Sequence, residues 1–221
     1  MTIDHHPSDD ILLAYTSGSL DEASSMLIAT HLALCPQCRV TLNSMEMLGG
    51  ELFEDTSPVE IASDSFEKVI ARIDSGTESQ DLSEQVLESG DDKDVTLPRP
   101  LRDYVKNGLS QLKWRWMGRG AHCASVPMTS KGPKAKLLRI SPGTKMPQHG
   151  HSGEELTMVL AGGYSDASGS YRRGDVEVAD GGMVHQPVAD SGEDCICLVV
   201  TNGYLRPTSI LARLAQPIMG F

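Results

Sequence analysis

The chain has 221 residues, and its 39% hydrophobic and 22% charged residues are typical of a soluble globular protein of one or two domains. It contains no run of about 18 apolar residues, so the sequence predicts no membrane-spanning helix and no membrane partner. Residues 1–10 are polar and lack a basic stretch leading into an apolar one, so we expect no signal peptide and a cytoplasmic location.

The net charge of −11 is distributed unevenly. Residues 1–97 hold 4 Lys or Arg against 20 Asp or Glu, whereas residues 98–221 hold 15 against 10. The acidic half would repel nucleic acid and would speed encounter with a basic protein partner. On charge alone, a solvated acidic surface with an acidic linker explains the pattern equally well. Basic side chains are scattered in the second half, so we predict no nucleic-acid binding there.

Apolar residues at helical spacing predict four short helices within residues 1–75. Helix starts are indicated at Ser8-Asp9-Asp10, Asp21-Glu22 and Pro36, and helix ends at Gly18 and Gly49-Gly50. The third helix is predicted over 37–48 and the fourth over 63–73, with one apolar face. Four short helices bury little apolar surface, so a domain of this size needs an additional constraint such as a bound metal.

Residues 76–98 are polar and acidic with weak periodicity, which predicts a flexible linker. Short β-rich runs follow within 99–221, namely Lys136–Ile140, Leu156–Leu160, Asp175–Val178 and Cys195–Val200. They alternate with Gly and Pro turns, which favours an antiparallel β-sandwich or barrel. The predicted fold class is therefore α+β, with a helical domain at 1–75 and a β-barrel domain at 99–221.

A first cluster of potential metal ligands lies between the second and third predicted helices. His31 and Cys35 are four residues apart and share one helix face, and Cys35-x2-Cys38 has the spacing of zinc-thiolate turns. A closed tetrahedral site needs a fourth ligand, for which His6 is the best candidate and His5 the second. The alternative is a pair of buried free cysteines beside a surface histidine.

This pattern on an acidic helical segment resembles the zinc-binding anti-sigma domain over roughly residues 1–75. The resemblance implies a structural zinc bound by His6, His31, Cys35 and Cys38. It also implies binding to an extracytoplasmic-function sigma factor, which the domain keeps from RNA polymerase.

A second cluster lies in the β-rich half, in the pattern Gly143-x5-His149-x-His151-x3-Glu155-x6-Gly162. His149 and His151 are two residues apart, so on a strand both face the same side. With His185 from a later hairpin, the set offers three imidazoles and one carboxylate to a divalent metal. Zinc, iron, manganese, nickel and copper all accept these ligands, and Glu154 is an alternative carboxylate beside Glu155.

This pattern and a later one, Gly174-x5-Asp180-x-Gly182-x2-His185, resemble the two cupin motifs over about residues 110–215. Two positions depart from the second motif, since Asp180 stands where Pro is usual and Ala189 where Asn is usual. Both positions shape turns, so the departures concern local geometry, while all four ligand positions of the motif are filled.

Together, the helical zinc cluster, the acidic linker, the cupin motifs and the late Cys195-x-Cys197 resemble the ChrR-type anti-sigma factors. That resemblance implies an inhibitor that releases its sigma factor on an oxidant signal such as singlet oxygen, with the cupin metal needed for the response. We therefore expect no catalytic residues.

Two other classes of function compete with this one. The first is a cupin-type metal dioxygenase or isomerase with an accessory zinc domain, and the second is a metal-dependent small-ligand binder. An enzyme needs an acid or base beside the metal, and the sequence marks none, although Glu177 or Tyr164 could face the barrel. A buried core pair is favoured over a redox pair for Cys195 and Cys197, and Cys123 has no partner at metal-ligand spacing.

Overall fold

The computed structural model describes residues 2–75, 97–106, 108–118, 120–203 and 205–207. Four helices occupy the N-terminal region: α1 (Asp9–Thr16), α2 (Glu22–Leu34), α3 (Pro36–Glu54) and α4 (Ser65–Asp74). Asp21 begins α2 as predicted, because its carboxylate accepts a hydrogen bond of 3.0 Å from the backbone N–H of Ser24. Gly18 ends the turn after α1 with a φ of 68°, a conformation that glycine adopts without strain.

The predicted end of the third helix is wrong. Helix α3 continues through Gly49 and Gly50 to Glu54. A glycine costs about 1 kcal/mol relative to alanine inside a helix, and good helix formers such as Met47, Leu48 and Leu52 surround the pair. Propensity over the whole segment therefore outweighs the two glycines.

Helix α4 has the predicted apolar face, but none of its residues is buried. Phe66, Val69 and Ile73 are 70%, 54% and 68% exposed. The apolar stripe of α4 is thus available to another molecule instead of contributing to the core.

Residues 76–96 of the predicted linker lie outside the described residues. After them, Leu97 is buried, and so is Leu101 of α5 (Arg99–Arg102). The predicted linker therefore includes at its end two residues, Leu97 and Pro98, that belong to the core.

The C-terminal region is an antiparallel β-structure, which confirms the predicted fold class. The largest sheet has six strands in the order β1-β2-β3-β11-β5-β8. Two three-stranded sheets complete the barrel, with the orders β10-β6-β7 and β12-β4-β9. The strands are β1 (Arg115–Gly118), β2 (Ala121–Ser125), β3 (Lys134–Ile140), β4 (His149–His151), β5 (Glu155–Ala161), β6 (Gly163–Ser165), β7 (Ser170–Arg172), β8 (Val176–Ala179), β9 (Val184–His185), β10 (Val188–Ala189), β11 (Cys195–Thr201) and β12 (Leu205–Pro207).

The two faces of the large sheet bury different partners. Along β11, Leu198 belongs to one core cluster together with Leu27 and Ile28 of α2. Its neighbours Cys197 and Val199 point to the opposite face, into a second cluster inside the barrel. Because side chains alternate along a strand, β11 carries the helices on one face and the barrel interior on the other.

The helices and the outer face of the large sheet therefore share one core, separate from the cluster inside the barrel. A polar contact reinforces this packing at the start of α2, where the Glu22 carboxylate accepts backbone N–H bonds of 3.0 Å from Thr129 and 2.6 Å from Ser130. On β1, the Trp116 side chain is 73% exposed.

Candidate metal centres

The N-terminal cluster is assembled from three different segments. His6 precedes α1, His31 lies in the last turn of α2, Cys35 caps α3, and Cys38 lies in its first turn. The His31 Nε2 atom is 3.2 Å from Cys38 Sγ, and His6 Nδ1 is 3.4 Å from each of the two sulfurs. All four ligand atoms lie within 4.8 Å of one another.

His5 takes no part in this cluster. Its ring packs against Tyr171 of β7, with 4.4 Å between the ring centroids. Of the two histidines that the sequence left open, His6 is the one that the structure places beside the cysteines.

The protonation chemistry of this cluster suits a cation. Burial lowers the pKa of His31, and burial together with the neighbouring Cys35 raises the pKa of Cys38 to about 12. Two thiols and two neutral imidazoles are the donor set of tetrahedral zinc sites, and zinc binding displaces the thiol protons. The residues therefore fit a zinc ion.

His31 is also oriented from outside the helical domain. Its Nδ1–H donates a hydrogen bond of 2.8 Å to the carbonyl oxygen of Gly174, in the turn between β7 and β8. This bond leaves Nε2 facing Cys38, which is the usual arrangement of a metal-binding histidine held by a backbone carbonyl.

The second cluster lies inside the barrel. Strands β4 and β9 pair with His149 opposite His185, and Glu155 begins β5. The Nε2 atom of His185 is 3.2 Å from the Nε2 atoms of both His149 and His151. Glu155 Oε2 is 3.5 Å from His151 Nδ1, and the four ligand atoms lie within 4.8 Å of one another.

Glu154, the alternative carboxylate, is exposed, whereas Glu155 is buried. Burial raises the pKa of Glu155 to about 7 and lowers the pKa of His151 to about 4. Burial also lowers the pKa of His149. The neutral imidazoles of His149 and His151 beside a poorly solvated carboxyl group suit a divalent cation, whose charge replaces the lost hydration.

Two carboxylates lie beside His185 and a tyrosine bonds to one of them, and the sequence indicated only some of these residues. Asp166 Oδ2 lies 3.0 Å and Glu177 Oε1 lies 3.4 Å from His185 Nδ1. Burial opposes protonation of His185, but these carboxylates outweigh it and raise its pKa. The Tyr164 hydroxyl donates a 2.6 Å hydrogen bond to Glu177 Oε2. Glu177 and Tyr164 thus face the barrel, while no sequence signal identified Asp166.

The late cysteines lie in the barrel interior, close to these groups. Cys195 and Cys197 are fully or almost fully buried on one face of β11, with 3.5 Å between their sulfurs. The contact with Cys195, together with burial, raises the pKa of the Cys197 thiol well above its ordinary value.

In the part of the chain that the structure describes, no helix is long and apolar enough to span a bilayer.

Fold and sites together define a class of two-domain protein, in which a helical domain with a His/Cys centre packs on a cupin-type barrel with a His/Glu centre. Residues 105–205 match the family model of the ChrR cupin-like domain. The anti-sigma-E factor ChrR of Cereibacter sphaeroides is 41% identical over 217 residues, which cover 98% of each chain.

A solved structure agrees with these matches. The crystal structure of Rhodobacter sphaeroides SigE in complex with the anti-sigma ChrR matches with 40% identity and a TM-score of 0.77, over 90% of this chain and 99% of that chain. The chain belongs to the ChrR family of anti-sigma factors.

Proposed function

We propose that this chain binds and inhibits an extracytoplasmic-function sigma factor of the sigma-E type in the cytoplasm, through its helical domain. The observation that carries the proposal is the number of large apolar side chains that are exposed between the end of α3 and the end of α4. Among them, Phe53, Val59, Ile61 and Phe66 are 75%, 85%, 78% and 70% exposed. A soluble protein rarely leaves so many large apolar side chains in water unless another protein covers them.

The spacing of the apolar residues and the charge of this region suit a protein partner. In α4, the stripe of Phe66, Val69, Ile70 and Ile73 has the spacing of an amphipathic helix that lies in an apolar groove. Residues 1–97 also hold 20 acidic against 4 basic residues, so the long-range field favours a basic partner surface and disfavours nucleic acid. The ChrR relative in the solved structure is bound to SigE, which supports a partner of the same type.

We assign zinc to His6, His31, Cys35 and Cys38, with a structural role. We assign a divalent metal to His149, His151, Glu155 and His185, with zinc as first choice and iron, manganese, nickel or copper as alternatives. The donor sets and the mutual distances within 4.8 Å support both assignments.

We further infer that the cupin metal serves the response to an oxidant such as singlet oxygen and performs no catalytic turnover. Four protein side chains already surround the metal position, which suits a sensing or structural ion better than a catalytic ion with an open coordination position. The division into a helical segment (1–75), a linker that ends before the buried Leu97, and a C-terminal cupin segment remains part of the proposal. Inhibition is located in the first segment and sensing in the last.

Co-expression with candidate sigma factors, followed by affinity capture, tests the proposal. In the parent protein we expect a 1:1 complex. Phe66→Asp combined with Ile73→Asp should weaken capture at least about tenfold, which is about 1.4 kcal/mol. Trp116→Asp is the matched control, because Trp116 is an equally exposed apolar side chain on the cupin. Equal capture of all three proteins would place the sigma interface elsewhere.

A further inference from the structure

The two candidate metal centres are joined by one contiguous set of buried contacts. At the cupin end, the ligand residue His185 lies 3.4 Å from Glu177, and Glu177 accepts the 2.6 Å hydrogen bond from the Tyr164 hydroxyl. The ring of Tyr164 stacks on the ring of Tyr171, with centroids 4.9 Å apart and an interplanar angle of 23°. All four side chains are buried, so none can move without displacing its neighbours.

Tyr171 connects these buried residues to the N-terminal segment. The ring of His5 lies 4.4 Å from the ring of Tyr171, and His5 immediately precedes the ligand residue His6. The backbone carbonyl of His5 also accepts a 3.1 Å bond from the N–H of Val176, in the first position of β8. The segment before α1 is therefore tied to the first residue of β8 by a backbone hydrogen bond.

Asp175 fixes the same segment from the turn between β7 and β8. One of its carboxylate oxygens accepts backbone N–H bonds of 2.8 Å from Asp4 and 3.0 Å from His5. Its other oxygen accepts a 2.7 Å bond from the backbone N–H of Arg172 and so fixes the turn itself.

Gly174 allows the close approach. Its φ is 96°, and a Cβ atom there would lie 2.6 Å from the side chain of Ile3. Its carbonyl oxygen is the acceptor for His31. The β7–β8 turn thus contacts both histidines of the N-terminal centre, His31 directly and His6 through its neighbour.

We propose that Tyr164, Tyr171, Glu177 and the turn at 172–175 are positioning residues that couple the two metal centres, so that loss of the cupin metal loosens the N-terminal centre. The inference rests on the proposed metal assignments and names the route by which the cupin acts on the inhibitory domain. When His185 loses its metal, its imidazole and Glu177 are free to rearrange, and the stacked tyrosines carry the change to His5.

Coupling between the two sites is measured as the effect that a change at one has on the other. The readout is the rate at which N-ethylmaleimide alkylates Cys35 and Cys38 in the full-length, zinc-loaded protein, resolved by peptide mass spectrometry and measured without any sigma factor. Zinc-bound thiolates are protected, so the rate reports how firmly the N-terminal centre holds its ion.

In the parent background, His149→Ala/His151→Ala should speed this alkylation by about 10- to 100-fold, the usual effect of disturbing the groups that orient metal ligands. In a Tyr171→Ala background, the same double substitution should add little, because the connection is already broken. Tyr171→Phe, which keeps the ring and removes only the hydroxyl, should behave like the parent.

Asp175→Ala provides an independent test and serves if Tyr171→Ala fails to fold. It should speed alkylation by itself, whereas Asp194→Ala should not, because that carboxylate pairs with Arg139 and has no contact with the N-terminal segment. Two results would refute the coupling. In the first, the His149→Ala/His151→Ala substitution leaves the alkylation of Cys35 and Cys38 unchanged. In the second, the same double substitution has its full effect on the alkylation rate in the Tyr171→Ala and Asp175→Ala proteins. Failure of the parent protein to capture a sigma factor would refute the proposed function and leave this result standing.

Discussion

The Nδ1–H of His31 donates a 2.8 Å hydrogen bond to the carbonyl oxygen of Gly174, which joins a residue of the helical domain to a turn of the barrel. Both groups are buried, and a backbone carbonyl is a fixed acceptor, so this bond sets the orientation of the imidazole. The helical domain is therefore supported by the cupin at the position where its metal is expected.

Cys38→Ser should remove the N-terminal metal. The serine hydroxyl does not replace a thiolate as a zinc ligand, and the free energy of metal binding is folding free energy in a small domain. We expect loss of one zinc per chain by elemental analysis, partial loss of helical circular dichroism and loss of sigma capture.

Ser44→Ala is a control on the same helix, because its hydroxyl donates a hydrogen bond to the carbonyl of Val40 on the exposed side of α3. The assignment of the site would be wrong if the Cys38→Ser protein kept a tightly held zinc in the N-terminal region and still bound the sigma factor.

A fragment that ends near Ser79 should still inhibit the sigma factor, because α3 and α4 carry the exposed apolar surface. It should be less stable than the same helices in the full chain, since Leu27 and Ile28 lose their packing on Leu198 and His31 loses its carbonyl acceptor. Exposing one such apolar side chain costs about 1.5–3 kcal/mol.

Thermal unfolding and zinc competition with a chromogenic chelator measure this difference, and sigma capture measures inhibition. A soluble, zinc-loaded fragment that fails to bind would mean that the cupin shares the interface.

His149→Ala combined with His151→Ala should empty the cupin, while the zinc on Cys35 and Cys38 exchanges faster but stays bound at equilibrium. Two of four ligands are lost, and the buried Glu155 and His185 cannot hold a divalent ion tightly alone. Inhibition in the dark should persist, whereas induction by singlet oxygen should fade.

A reporter strain with a photosensitiser, in darkness and in light, measures both properties. Induction equal to that of the parent would remove the cupin metal from the mechanism, and activity without light would show that the cupin itself helps to retain the sigma factor.

Glu22 should make the contact between α2 and the loop at Thr129–Ser130 sensitive to acid. Backbone N–H bonds from these two residues lower the pKa of Glu22 from 4.5 to about 2. A lowered folded-state pKa stabilises the fold at pH values above about 4.5, and this contribution is lost as the pH falls toward 2.

Glu22→Gln should therefore lower the unfolding temperature at pH 6, and the difference from the parent should shrink between about pH 5 and pH 3. Scanning calorimetry across this range measures the effect, with Glu46→Gln on the exposed surface of α3 as the control. A difference that stays constant with pH would mean that the ionised carboxylate does not hold the loop.

The sequence by itself determined those candidate ligands that lie at short spacing from one another. His31, Cys35 and Cys38 lie across one helix end, and His149 and His151 alternate on one strand, so local geometry alone brings them together. The start of α2 at Asp21 and the position of β11 (Cys195–Thr201) depend on equally local patterns, and the sequence predicted both within a few residues.

Only the tertiary structure decided how these local pieces meet. From the sequence we predicted the helices and the barrel as independent parts on either side of a linker. In the structure, Leu198 of β11 packs against α2, while Cys197 of the same strand lies inside the barrel. The same packing brings Gly174 to His31 across 143 positions of the chain and places Asp166 beside His185. Contacts between residues so distant along the chain follow from sheet register and core packing, which no short sequence pattern encodes.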